Sequence, residues 1–126
     1  MAKPLILIIE DDQNSRKLVR DVLQVKGYRT LESETAEEGL RLAQAQRPAL
    51  ILMDIQLPGM NGIEALQALR ANPDTQAIPV LAVTASVMHL QQTHIVDAGF
   101  DALERKPISV AALLRKIENL LQPPSE

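Results

Sequence analysis

Three stretches of this chain, Leu5–Ile9, Ala49–Met53 and Ile78–Val83, are nearly unbroken aliphatic runs. They lack the polar alternation of a strand wetted on one face, and they fall far short of the roughly 20 apolar residues that span a membrane. Strands buried on both faces look like this, and they belong to parallel sheets covered by helices above and below. Weaker apolar runs at Tyr28–Leu31 and Ala102–Leu103 supply two more strands.

Helical patterns lie between the runs. Leu18, Val19, Val22 and Leu23 make one stripe, closed by Gly27. Thr35-Ala36-Glu37-Glu38 reads as a capping box, followed on one face by Leu40 and Ala43 before Pro48. Ile63, Leu66 and Leu69 form a third stripe, with Asn61 as its cap and Asn72-Pro73 at its end. Ser86 caps a fourth, weakly amphipathic segment running to Gly99. Ser109 caps a fifth, in which Val110, Leu113, Leu114, Ile117 and Leu121 form the strongest stripe of all. The order is βα repeated five times. It predicts an α/β fold, a doubly wound (βα)5 open parallel sheet with right-handed crossovers and helices on both faces. The domain is expected over residues 1–121. The polar, Pro-rich tail 122–126 reads as a free terminus or the stub of a linker.

Composition narrows the classes. The chain has 126 residues, 46% hydrophobic and 23% charged, enough for one domain with a sizeable core. Aromatics are only 2%, Tyr28 and Phe100, so the core must be aliphatic. The net charge of −3 is spread through the chain, which gives no sign of a nucleic-acid or membrane surface. The absence of cysteine excludes disulfides and thiolate metal sites and is compatible with the cytoplasm. The opening MAKPLILIIEDD has too short an apolar run for a signal peptide.

Functional groups in such sheets gather at the carboxyl ends of the strands. There stand Glu10, Asp11 and Asp12 after the first strand, and Asp54 after the third, just before a break at Pro58-Gly59. Thr84 follows the fourth strand, and Lys106-Pro107 the fifth. Clustered carboxylates repel one another and resist ionising, and a buried acid without a partner is costly. A hard divalent cation relieves this. Magnesium takes oxygen ligands, commonly one or two carboxylates plus phosphate. A carboxylate nucleophile, a metal, a lysine and a hydroxyl donor are the groups that phosphoryl transfer to an aspartate requires.

Four segments in order, LILIIEDDQNSRKLV, LILMDIQLPGMNG, PVLAVTAS and ALERKPIS, resemble the receiver domain of two-component response regulators. Thr84 lies 30 residues after Asp54 and Lys106 lies 52 after it. The resemblance runs from Pro4 to Leu121 and is closest in wording to single-domain regulators of the cell-division-control type and to receivers of hybrid kinases. It implies a flavodoxin-like fold with strand order 2-1-3-4-5. It implies that Asp54 is the phosphoacceptor and that Asp11 and Asp54 bind Mg2+ directly. Glu10 would act more often through water, and the backbone carbonyl of Gln56 would complete the protein's share. Thr84 would hydrogen-bond the phosphoryl group and Lys106 would pair with it, the Lys106-Pro107 bond being cis. The implied donor is a sensor histidine kinase or a histidine phosphotransfer protein. The receiver would catalyse both its own phosphorylation and its dephosphorylation. The implied output is a protein partner bound through the fourth helical segment, the fifth strand and the fifth helical segment, with no direct nucleic acid.

Each residue also has an ordinary reading. Asp54 could sit in a turn, Glu10 and Asp11 at a solvated strand end, Thr84 at a strand end and Lys106 on the surface. Gly59 and Gly62 read as turn residues and Asp12 as a helix cap. His89 and His94 are five apart, about 140° around a helix, so they do not share a face and do not make a chelating pair. Arg115-Lys116 reads as a solvated face. Leu103 stands three residues before the lysine, where receivers commonly carry an aromatic. Two rival functions follow. One is a receiver-fold interaction module that is never phosphorylated. The other is an aspartyl-nucleophile phosphatase, which would want an acid where Gln56 stands. With no Gly-x-Gly-x-x-Gly and no Walker loop, a nucleotide enzyme is disfavoured.

Overall fold

The computed structural model describes residues 3–57, 59–85 and 98–121. The strands are β1 (Leu5–Ile9), β2 (Arg29–Ser33), β3 (Leu50–Asp54), β4 (Val80–Thr84) and β5 (Ala102–Arg105). Among the described residues the helices are α1 (Gln13–Val25), α2 (Ala36–Gln46), α3 (Gly62–Ala71) and α4 (Val110–Leu121). The expected helical segment from Ser86 to Gly99, with His89 and His94, falls almost wholly outside the described residues, as does the tail.

All strand pairings are parallel, and the sheet order is β2-β1-β3-β4-β5. The continuous aliphatic runs have a simple cause: alternate residues serve two cores. Leu7, Ile9, Ile51, Met53, Val80 and Ala82 pack on one face against α2 and α3. Ile6, Ile8, Leu50, Leu52, Leu81 and Val83 pack on the other against α1 and α4. Each of these side chains larger than alanine contributes about 1.5–3 kcal/mol by leaving water. The sheet interior is therefore the stable frame on which its polar edge is built.

Strand limits shift slightly from the apolar runs. β3 and β4 continue onto Asp54 and Thr84, and β5 onto Glu104 and Arg105. Ladder hydrogen bonds are made by the backbone and ignore whether the side chain is apolar. Pro79 drops out of β4, although its carbonyl still accepts from Ile51 N–H at 3.0 Å.

The helix starts follow local rules. Asp12, Thr35 and Asn61 cap α1, α2 and α3, each accepting from the backbone N–H three residues on. Asn61 and Glu64 close a reciprocal capping box. The α1 stripe is narrower than expected: Val19 and Leu23 are buried, while Leu18 is 45% exposed. Gly59 is a turn residue, with φ at +75°. Gly62 is not. It opens α3, and a Cβ there would lie 2.7 Å from the Ile55 Cα. A side chain would force α3 away from the end of β3.

Among the described residues, no helix is long and apolar enough to cross a membrane.

Candidate functional site

Because the strands are parallel, their carboxyl ends share one edge of the sheet. Ile9 pairs in register with Met53, Asp54 with Val83, and Thr84 with Arg105. The residues just beyond these pairs are thereby brought together. Glu10 is buried at 4% exposure, its N–H bonded to the Ser33 carbonyl at 3.0 Å. Asp54 is buried at 5%, and the adjacent Asp11 is exposed. Carboxylate oxygens of Glu10, Asp11 and Asp54 all lie within 4.8 Å of one another.

Lys106 enters this cluster from the loop after β5. Its backbone N–H donates to the Thr84 carbonyl at 2.8 Å. Its Nζ lies 2.8 Å from Glu10 Oε1 and 3.3 Å from Asp54 Oδ2. The peptide bond to Pro107 is cis. The remaining oxygens are held by backbone: Asp12 N–H donates to Glu10 Oε2 at 3.1 Å, and Gln56 N–H to Asp54 Oδ1 at 2.9 Å. Asp12 itself caps α1 through Ser15 N–H, and the Ser15 hydroxyl together with that N–H holds its carboxyl below the usual range. Thr84 is buried at the same edge, one residue beyond the register partner of Asp54. The described contacts include none from its hydroxyl to Asp54. Gln56 meets the site through its N–H.

The electrostatics show a surplus of negative charge. Burial pushes the Glu10 carboxyl up from 4.5 to about 7, and its contact with Asp54 pushes the same way. Lys106 and the Asp12 N–H oppose this and do not overcome it. Burial pulls Lys106 down, but its contacts with Glu10 and Asp54 outweigh burial and hold it above its ordinary value. One lysine thus faces two buried acids and a third exposed one. Clustered oxygen donors of this kind, with charge left over, fit a hard divalent cation such as magnesium.

Sequence reasoning missed Arg16. It lies one turn into α1, 13% exposed, and its Nη1 donates to the Glu10 carbonyl at 2.8 Å. It missed the buried Glu104 as well. A basic residue five after an acidic pair was the available sign of the first; for the second the pattern held none.

A family model of the response regulator receiver domain matches residues 6–118. The chain belongs to the response regulator receiver family. The receiver is 40% identical over 116 residues to the polar-differentiation response regulator DivK of Brucella anthropi, a match covering 92% of this chain and 94% of that protein. It superposes on the receiver domain of the sensor histidine kinase PA1611 from Pseudomonas aeruginosa with a TM-score of 0.88 at 28% identity, covering 95% and 98% of the two chains. That structure has a magnesium ion coordinated in its active site cleft. The chemotaxis response regulator CheY4 of Vibrio cholerae gives a TM-score of 0.88 at 25% identity, covering 95% of the receiver and all of that chain. The receiver is a phosphorylation-dependent signalling domain rather than an enzyme of metabolism, on the flavodoxin-like sheet of order 2-1-3-4-5.

Proposed function

We propose that Asp54 is the phosphoacceptor of this receiver. A carboxylate oxygen of Asp54 attacks the phosphorus of a phosphohistidine on a sensor kinase or phosphotransfer protein. The P–N bond breaks, and the electron pair leaves with the imidazole, which takes up a proton. The observation that carries the reading is the meeting of three carboxylates and one lysine at a single sheet edge.

Glu10, Asp11, Asp54 and the Gln56 carbonyl would hold Mg2+, which when bound supplies positive charge to the oxygens of the transferring group. Lys106 binds Asp54 and Glu10 before reaction and is the side chain poised to pair with a phosphoryl oxygen afterwards. The Gln56 N–H holds Asp54 Oδ1, which keeps the carboxylate in one orientation. Thr84 offers a hydroxyl donor at the same edge. The receiver thus performs its own phosphorylation and later admits the water that removes the group. The phosphorylated form shifts a two-state equilibrium read by a protein partner over the 86–99 segment, β5 and α4. Residues 1–121 form the working unit, which acts in the cytoplasm.

The test is incubation with a small acyl-phosphate donor, with magnesium or with chelator, followed by intact-mass measurement. A gain of one phosphoryl group only with magnesium supports the switch. Continuous turnover of phosphomonoesters would make the protein a phosphatase, and no gain under either condition an inert interaction module.

A further inference from the structure

Glu10 and Asp54 have their carboxylates held by neighbours, but Asp11 is exposed, and among the described residues no side chain or N–H bonds its carboxylate. The direction of its Cα–Cβ bond, from which the carboxylate reaches the site, is set by its backbone. Two peptide planes flank the Asp11 Cα. The carbonyl of the first belongs to Glu10 and accepts from Arg16 Nη1 at 2.8 Å. The N–H of the second belongs to Asp12 and donates to Glu10 Oε2 at 3.1 Å. With both planes tied, φ and ψ of Asp11 are tied as well.

Arg16 is itself anchored. Its Nε lies 3.4 Å from Glu32 Oε1 and its Nη2 lies 3.3 Å from Glu34 Oε1, both on the side of β2. These two acids neutralise the guanidinium, so its positive charge adds little at the metal end. What remains is geometry: a planar fork with one arm on the site's backbone, one on β2 at Glu32 and one on Glu34 just beyond that strand.

We propose that Arg16 is a positioning residue that aims Asp11 into the magnesium site by clamping the Glu10–Asp11 peptide. The inference rests on the reading of Asp11 as a magnesium ligand. Lysine keeps the charge of Arg16 but cannot make the fork, so Arg16→Lys separates charge from geometry.

The experiment uses the full chain and magnesium alone as the probe. Magnesium affinity is measured by titration against amide NMR shifts, for wild type, Arg16→Lys, Asp11→Asn and the double variant. Arg16→Lys is expected to weaken magnesium binding about tenfold, the usual scale for residues that orient metal ligands. Phosphoryl gain from an acyl phosphate should need more magnesium but reach the wild-type rate when magnesium saturates. In metal-free protein, the Asp11 and Asp12 amide resonances should move. In the Asp11→Asn background, Arg16→Lys should add nothing. Should Arg16→Lys fail to fold, Glu34→Gln, which loosens the outer anchor only, should weaken magnesium in the same direction by less.

Unchanged magnesium affinity in a folded Arg16→Lys would overturn the inference. So would an equal loss in the Asp11→Asn background, because Arg16 would then act by another route. Failure of the wild type to bind magnesium would instead overturn the site reading itself.

Discussion

Two buried glutamates belong to the same sheet, Glu10 just past the interior strand β1 and Glu104 on the edge strand β5, and they are matched in almost every local respect. Glu10 is 4% exposed and Glu104 is 5% exposed. Each contacts one lysine ammonium, Lys106 at 2.8 Å and Lys116 at 2.7 Å. Each also accepts one backbone N–H, from Asp12 at 3.1 Å and from Ser109 at 3.3 Å. The surroundings differ. Among the described residues Glu104 shares its lysine with no other acid, the ammonium's second contact being the Leu103 carbonyl, in the seam where α4 packs on β5. Glu10 shares its lysine with Asp54 and has Asp11 within reach. A balanced buried pair is a structural joint, whereas an unbalanced one is a place for a ligand that brings positive charge. That the chain carries both allows the two roles to be pulled apart.

The largest contrast is chemical. Asp54→Asn keeps shape and the Gln56 N–H contact but removes the proposed nucleophile. It should end phosphoryl gain from an acyl phosphate entirely, as read by intact mass, with no loss of melting temperature because one of three crowded charges has gone. Glu104→Gln should gain the phosphoryl group as wild type does. If Glu104→Gln abolished the gain as well, the division between joint and site would collapse.

Next come the lysines. Lys116→Met leaves the Glu104 carboxylate buried with only the Ser109 N–H, and should cost about 3 kcal/mol in denaturant melts, the low end for a broken buried pair because Lys116 is partly exposed. Magnesium should not restore that loss. Lys106→Met should destabilise the metal-free protein too, but magnesium should recover much of it, since the cation replaces the missing charge. Equal behaviour of the two variants towards magnesium would show that the cation does not bind at Lys106's end.

The pH dependence is smaller. Glu10 titrates near 4.5 when unfolded and at about 7 when folded. Between those values the folded state holds the extra proton, so in chelator stability should fall as pH rises from 4.5 through 7, by less than about 3 kcal/mol in all. Asp12, held below 3.8, affects stability only at more acid pH, and Lys106 only at alkaline pH. Glu10→Gln should flatten the slope, and magnesium, which favours the charged form, should flatten it in wild type. Melting temperatures against pH read all three; a metal-free slope of opposite sign would mean that Glu10 is charged throughout.

The smallest effect is expected at Leu103, half-buried beside the first core on the strand that carries Glu104. Leu103→Tyr enlarges a packed side chain and should cost about 1 kcal/mol. It should leave the rate of phosphoryl gain unchanged, because the proposed reacting groups lie on Asp54 and Lys106. A slowed rate would extend the functional region along β5.

Much of this was legible in the chain. Leu5–Ile9 and Ala49–Met53 announce doubly buried strands because every second residue feeds a different core. Asp12, Thr35 and Asn61 announce helix starts because a short side chain reaches an N–H three residues away, which is local geometry. Glu10, Asp11, Asp54, Thr84 and Lys106 could be placed together because a parallel sheet puts all its strand ends on one edge. The rest belongs to what lies alongside. Glu10 and Asp11 are neighbours in sequence, yet one is buried against Lys106 and Asp54 while the other faces water. Leu18 looks like a core residue of α1 but turns outward, while Glu104 looks like a surface residue of β5 and is covered by α4. Gly62 reads as a turn until Ile55 is seen against it, and Arg16 reads as a helix-face charge until the Glu10 carbonyl and β2 are in place around it. Periodicity and capping depend on separations of a few residues along the chain, so the sequence alone determines them. Burial, charge balance and the aiming of Asp11 depend on residues that come together only when the sheet closes, so only the tertiary structure decides them.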